Sequence, residues 1–211
     1  MKSTFQQDFD KEVLLGKYLD EIYAKKFEAP NYKIQRISDI NQQYSGVDVI
    51  LIRDNKEYII DEKAQLSYLN KTLPTFVFEL SYLKDESWRE GWLFDKNKIT
   101  EIYFLVTEIF CSDIHDLGKG FLSVKITAVN RNKLISYLSS KGLTKEVLMQ
   151  YEKDIRQAGT AKTIIKELDN YLDGNLQYTN FLNEKPVNLV LKLDRLVING
   201  IAKIIHDGSN I

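Results

Sequence analysis

Residues 45–65, SGVDVILIRDNKEYIIDEKAQ, decide the fold. Two apolar runs, Val47–Ile52 and Glu57–Leu66, flank the polar break Arg53-Asp54-Asn55-Lys56, which reads as a short hairpin turn between two strands. Both runs stay apolar over several consecutive positions, so the sheet they enter is expected to be covered on both faces. Into these strands the chain places Asp48, Asp61, Glu62, Lys63 and Gln65. An unpartnered buried carboxylate costs several kcal/mol, so a chain that carries several compensates with a metal, a cation or an open cleft.

Strand alternation sharpens the pattern. Asp61, Lys63 and Gln65 share one face of their strand, and Glu62 and Ala64 point to the other. A two-residue loop at Asp54-Asn55 sets Asp48 opposite Asp61, and one at Asn55-Lys56 sets it opposite Lys63. A three-residue loop instead moves Asp48 to the Glu62 side, because a one-residue slip exchanges the faces. Two-residue loops are the commoner connection, which favours clustering of Asp48 with Asp61 and Lys63.

Outward from the hairpin, the N-terminal side is helical from Gln7 to about Phe27. Phe9, Leu15, Leu19, Ile22 and Phe27 recur at helical steps, and Pro30 closes the segment. Asp8 and Glu12 continue that apolar stripe. Strands are expected at Tyr32–Ile40, Thr75–Leu83, Thr100–Phe110 and Phe121–Val129, with a loop or short helix at Trp88–Trp92. Beyond Asn132 helices dominate the reading: one through Leu134 and Leu138, one capped by Thr144 and running to Gln157, and one from Ala161 to Leu172. Leu176–Leu182 and Val187–Leu193 read as strands, and Leu196–Ile205 as helix or strand. The expectation is a single α/β domain over 1–211: a core over 1–130, a mixed sheet flanked by helices, then a mainly helical C-terminal portion over 131–211 with edge strands.

Composition narrows the classes. The chain has 211 residues, 44% hydrophobic and 28% charged, and its 29 basic and 30 acidic residues leave a formal charge of -1. That balance excludes a strongly basic nonspecific coat for nucleic acid but permits a local basic groove. The lone cysteine, Cys111, excludes an intramolecular disulfide and any cysteine-built zinc site. No apolar run reaches the roughly twenty residues that span a bilayer, and the first residues lack a signal-peptide core, so a soluble cytoplasmic protein with no membrane partner is expected. His115 and His206 form no metal-ligand spacing and read as surface residues, and Cys111 reads as a small core residue. Trp88 and Trp92 read as core anchors more readily than as base-stacking platforms.

Two carboxylates and an ammonium on one face have a chemical use. Hard oxygen ligands suit Mg²⁺, which keeps several waters, acidifies one of them and neutralises phosphoryl charge. An adjacent lysine orients or deprotonates the attacking water, or steadies added negative charge. Gln65, one step further, suits a positioning role for water or phosphate oxygen.

Asp48 near the end of one apolar strand, followed by Asp61-Glu62-Lys63 on the next, resembles the PD-(D/E)xK nuclease superfamily. Gln65 extends the match to the D-x-K-x-Q form, and Val47 stands where the family name has proline. The helix-then-sheet order of residues 7–110 resembles the family's αβββαβ core, so a restriction-endonuclease-like fold is implied for about the first 130 residues. The resemblance implies a Mg²⁺-dependent endonuclease, a hydrolase of DNA phosphodiesters in which Mn²⁺ substitutes. Asp48 and Asp61 would be metal ligands with the Glu62 carbonyl beside them, and Lys63 would activate water. Glu12 would be an outer acidic ligand, with Asp8 or Glu21 as alternatives. Many such nucleases work in pairs, so the second half would supply substrate contacts or a homodimer surface. The competing reading keeps the fold without the chemistry: an inactive nucleic-acid-binding or protein-interaction module. In it Asp48 and Lys63 form a buried salt bridge, Asp61 caps a strand and Glu62 is solvated.

Overall fold

The computed structural model describes residues 4–208, with side chains described from residue 10. The chain divides into two compact units that interleave in sequence. One comprises 1–73, 99–128 and 204–211, and the other comprises 74–98 and 129–203. Residues 74–98 therefore group with the C-terminal stretch rather than with the core expected over 1–130.

The first unit opens with helix α1 (Thr4–Lys26), whose last turn carries Lys25 and Lys26 where cations favour the helix dipole. Strand β1 (Tyr32–Arg36) follows, then the short helix α2 (Ile40–Tyr44), N-capped by Asp39 accepting from the Gln42 amide. Strands β2 (Val49–Arg53) and β3 (Lys56–Ala64) form the hairpin. Its two turn residues are Asp54 and Asn55, with φ of 52° and 62°. Both lie in the left-handed region that a type I′ hairpin requires and that Asp and Asn tolerate. The ladder Val49↔Ile60 through Arg53↔Lys56 follows from that turn.

β1 pairs antiparallel with β2 and β2 with β3, so these three strands form a meander. The later strands are β4 (Thr75–Lys84), β5 (Ser87–Glu90), β6 (Ile102–Cys111) and β7 (Phe121–Asn130). β6 lies parallel to β3, with Asp61 opposite Tyr103 and Lys63 opposite Leu105. The long connection between β3 and β6 contains a 3-10 turn at Leu66–Tyr68 and the strands β4 and β5, with no α-helix. That departs from the αβββαβ order expected from the sequence. Leu15, Leu19, Ile22 and Tyr23 of α1 pack with Val49, Leu51, Ile60, Phe104, Val106, Val124 and Ile126 into one core. The helical spacing of Leu15, Leu19 and Ile22 is the one visible in the sequence.

The remaining elements are α3 (Arg131–Ser140), α4 (Lys145–Ala158), β8 (Lys162–Thr163), β9 (Gly174–Tyr178), β10 (Val187–Lys192), α5 (Leu193–Ile198) and β11 (Ala202–Asp207). The first sheet runs β1-β2-β3-β6-β7-β11 and the second runs β5-β4-β10-β9-β8. The protein is thus an α/β structure with a mixed first sheet.

In the second unit the helix expected over Ala161–Leu172 is absent. Gly159, at φ 66°, closes α4, and Lys162–Thr163 pairs with Gln177 and Leu176 of β9. The β-branched run Thr163-Ile164-Ile165 suits extended backbone, and sheet pairing overrides the local helix preference. The Trp88–Trp92 segment begins as a strand, with Trp88 opposite Leu83. Trp92 packs its ring 5.5 Å from Phe78, as a core anchor should, whereas Trp88 is 43% exposed and carries the Arg156 guanidinium 4.2 Å from its ring centre. Gly91 between them is obligatory: a Cβ there would lie 2.4 Å from the Glu79 carbonyl oxygen. Arg131 locks the segment that follows, donating to the carbonyls of Leu93, Asp95 and Lys98 at 2.8–3.1 Å.

Candidate active site in the first unit

The site grows from the end of the hairpin. The β2–β3 ladder stops at Val49, and Asp48 sits one residue before it. The Asp48 amide donates to the Ile60 carbonyl at 2.9 Å, and its own carbonyl accepts from the Ile37 amide at 2.8 Å. With the carbonyl turned to Ile37, the side chain serves the neighbouring strand: Asp48 Oδ2 accepts from the Glu62 amide at 2.8 Å. A carboxylate thus ends the ladder, which fixes its position more tightly than packing alone.

Asp61 and Lys63 share the same face of β3, as alternation requires, and Lys63 Nζ donates to Asp61 Oδ1. Asp61 is 1% exposed. Its other oxygen, Oδ2, is enclosed and accepts no hydrogen bond from a nitrogen or hydroxyl donor among the described residues, although a protonated Asp48 carboxyl can share its proton with Asp61. The Asp48 carboxyl is pushed up to about 7, first by burial and then by the negative charge of Asp61, with Lys63 pulling the other way. The two-residue turn therefore does what the sequence suggested, bringing Asp48, Asp61 and Lys63 together. An Asp48–Lys63 salt bridge is not the pairing seen, because Lys63 goes to Asp61.

Glu62 points to the opposite face and is not solvated. Tyr23 of α1 donates its hydroxyl to Glu62 Oε1 at 2.5 Å. Arg36 of β1 donates Nη1 to Oε2 at 2.5 Å and Nη2 to Oε1 at 3.2 Å. Arg36 also binds Asp20 at 2.7 Å and the Gly16 carbonyl at 3.3 Å. The guanidinium lies across the helix at Gly16, its central carbon 3.7 Å from where a Cβ would stand, an ordinary contact distance. Burial, reinforced by the Glu62 charge and the bond to it, raises Tyr23 well above its ordinary value. Arg36 is raised as well: its bonds and charge contacts with Glu62 and Asp20 outweigh the opposing effect of burial. The Glu62 carboxylate is thus committed to Tyr23 and Arg36, and its main-chain oxygen lies 3.5 Å from Lys63 Nζ.

A cavity of about 620 Å³ opens at this end of the sheet, walled by α1 through Glu12, Gly16 and Asp20 and by Arg36, Gln43, Asp48, Glu62 and Lys63. Glu12 therefore reaches the same space as Asp48, four residues before Gly16 on one helix face. Glu21 is exposed and outside the cavity wall, and the Asp8 side chain lies outside the described residues. Gln65 follows β3, its amide donating to the Val106 carbonyl at 3.0 Å, and it is not part of the wall. Arg36 and Tyr23 were the residues that sequence reasoning missed. The available signal was alternation: Arg36 shares the inward face of β1 with Tyr32 and Ile34, an unusual place for an unpaired cation.

The donor set suits a small hard dication only in part. Among the described residues no group of three His, Cys, Asp or Glu side chains is gathered to hold a metal. Two features nevertheless fit one: the enclosed Asp61 Oδ2, and the burial of Asp48 together with its repulsion from Asp61, which raise the Asp48 carboxyl. Mg²⁺ is commonly held by one or two carboxylates plus waters and substrate phosphate, so two suffice in kind.

Among the described residues no helix is long and apolar enough to cross a membrane. His115 is exposed and Cys111 is buried, as expected. His206 differs from the surface residue expected: it is half-buried, its Nε2 is enclosed without a hydrogen-bond partner among the described residues, and burial lowers its pKa. Compared with known proteins, the chain matches no family model, no curated protein and no solved structure.

Proposed function

We propose that this chain is a divalent-metal-dependent nuclease that hydrolyses DNA phosphodiesters with a PD-(D/E)xK-type site. The observation that carries the reading is the convergence of Asp48, Asp61 and Lys63 at one strand end beside a cavity, with an enclosed Asp61 oxygen that no nitrogen or hydroxyl donor among the described residues reaches. The helix, the three-stranded meander and the parallel fourth strand β6 support a restriction-endonuclease-like arrangement. Asp48 and Asp61 would hold the ion. When bound, Mg²⁺ or Mn²⁺ supplies an acidified water and neutralises charge on the phosphate. Lys63, held against Asp61, places its ammonium where added negative charge on phosphorus is stabilised. Glu12 adds a carboxylate on the opposite wall, suited to bind a water of the ion's shell. Glu62 serves as the anchor of β3: its amide orients Asp48 while Tyr23 and Arg36 fix its side chain.

A second reading, an inactive nucleic-acid-binding or interaction module, is favoured by one observation: Lys63 already pairs with Asp61, which makes the cluster partly self-sufficient. Plasmid cleavage separates the two. With Mg²⁺ or Mn²⁺ the wild-type chain is expected to cut and to gain thermal stability, and Asp61→Ala to lose both. A well-folded protein indifferent to either ion, with no cleavage, would leave only the binding module.

A further inference from the structure

We propose that the cavity beside Asp48 and Lys63 receives one unstacked nucleotide of single-stranded DNA, so that single strands and frayed ends are preferred over continuous duplex. The inference rests on the hydrolytic reading of the same residues and adds the substrate form. At about 620 Å³ the space matches a small-molecule site and accommodates a nucleotide, not a double helix. Asp48 and Lys63 line this recess, the Lys63 side chain 28% exposed, while Asp61 lies enclosed behind them and outside the wall. A phosphate on the smooth outside of a duplex stops at the mouth of such a recess, whereas a strand with freed bases can enter.

The wall has the mixed character that a nucleotide needs. Val13, Ala64 and Leu66 offer apolar surface for a base or sugar; Lys17, Arg36 and Lys63 stand among the carboxylates of Glu12, Asp20, Asp48 and Glu62, so a phosphate would enter with a dication that offsets the acidic groups. Two exposed aromatics stand beside this wall in the chain. Tyr44 follows Gln43 directly and is 72% exposed; Tyr68 lies two residues after Leu66, is 47% exposed and has the Lys71 ammonium 6.0 Å from its ring. Exposed tyrosines that adjoin, in the chain, residues of a nucleotide-sized recess are side chains of the kind that single-strand binding uses for stacking, since every base has a face to stack.

The test is fluorescence anisotropy in Ca²⁺ with a short labelled single strand and the blunt duplex of the same sequence, alongside plasmid cleavage in Mn²⁺. The single strand is expected to bind at least about tenfold more tightly, and Tyr44→Ala and Tyr68→Ala each to weaken it by about fivefold or more. Val13→Trp, at a position already 41% exposed, should obstruct the mouth and weaken single-strand binding while leaving Tm unchanged. Equal or tighter duplex binding would overturn the proposal, as would wild-type affinity in all three variants. Duplex preference together with metal-dependent cleavage would sink this inference and leave the hydrolytic reading intact. Single-strand binding that Val13→Trp abolishes, without cleavage in any metal, would uphold the inference as a binding property and remove hydrolysis.

Discussion

Asp48→Asn tests the electrostatics of the site most directly. The amide keeps the shape of the carboxylate, and its oxygen can still accept from the Glu62 amide, so the end of the ladder survives. What it removes is a negative charge beside Asp61. In the folded protein Asp48 titrates at about 7, against about 4 in an unfolded chain. Between those values the folded state binds more protons than the unfolded state, so metal-free stability falls as pH rises and the deficit is complete above 7. The full difference corresponds to a ceiling of about 4 kcal/mol, of which roughly 2 should survive relaxation around the site. Metal-free Asp48→Asn should therefore exceed wild type in Tm by about 4–8 °C at pH 7.5 and match it below pH 4. The assay is thermal unfolding in EDTA from pH 4 to 8, repeated with Mn²⁺. With Mn²⁺ the order should reverse, because only wild type gains a ligand carboxylate. A wild-type stability that stays flat or rises between pH 5 and 7.5 in EDTA would refute the reasoning. So would an Asn variant no more stable than wild type at pH 7.5.

Lys63→Met leaves Asp61 buried with no cation, and should cost about 3 kcal/mol in urea unfolding besides ending cleavage. Tyr23→Phe removes a fully buried hydroxyl from Glu62 and should cost about 2 kcal/mol by the same measurement, with weaker Mn²⁺ affinity by calorimetry because Glu62 then holds Asp48 less firmly. Gly91→Ala drives a Cβ to 2.4 Å from the Glu79 carbonyl oxygen and should cost more than about 2 kcal/mol; an unchanged Tm would show that the Gly91 backbone can move away.

Much of the site was legible before any coordinates. Asp54-Asn55 is a turn pair whose residue types suit φ > 0, and once the turn is placed, alternation puts Asp61 and Lys63 on one face with Asp48 at the strand end. The apolar stripe of α1 likewise predicted the buried Leu15, Leu19 and Ile22. These features depend on residues within a few positions of one another, where backbone geometry leaves little choice. The failures are equally specific. Residues 161–172 carry acceptable helical spacing, yet they give up a helix for pairing with β9, a partner some fourteen residues away that no local window contains.

The sequence by itself determined the hairpin and the face shared by Asp61 and Lys63, because turn chemistry and the two-residue strand repeat act locally; the structure chose the Asp54-Asn55 register between the alternatives. Only the tertiary structure decided where Glu62 goes. Its partners Arg36 and Tyr23 lie 26 and 39 residues away, on a different strand and on a helix. The same holds for the parallel seat of β6 beside β3, reached across an intervening stretch that belongs to the other unit. Such contacts form when distant segments compete to bury apolar surface and to satisfy charge, and that competition is settled in three dimensions.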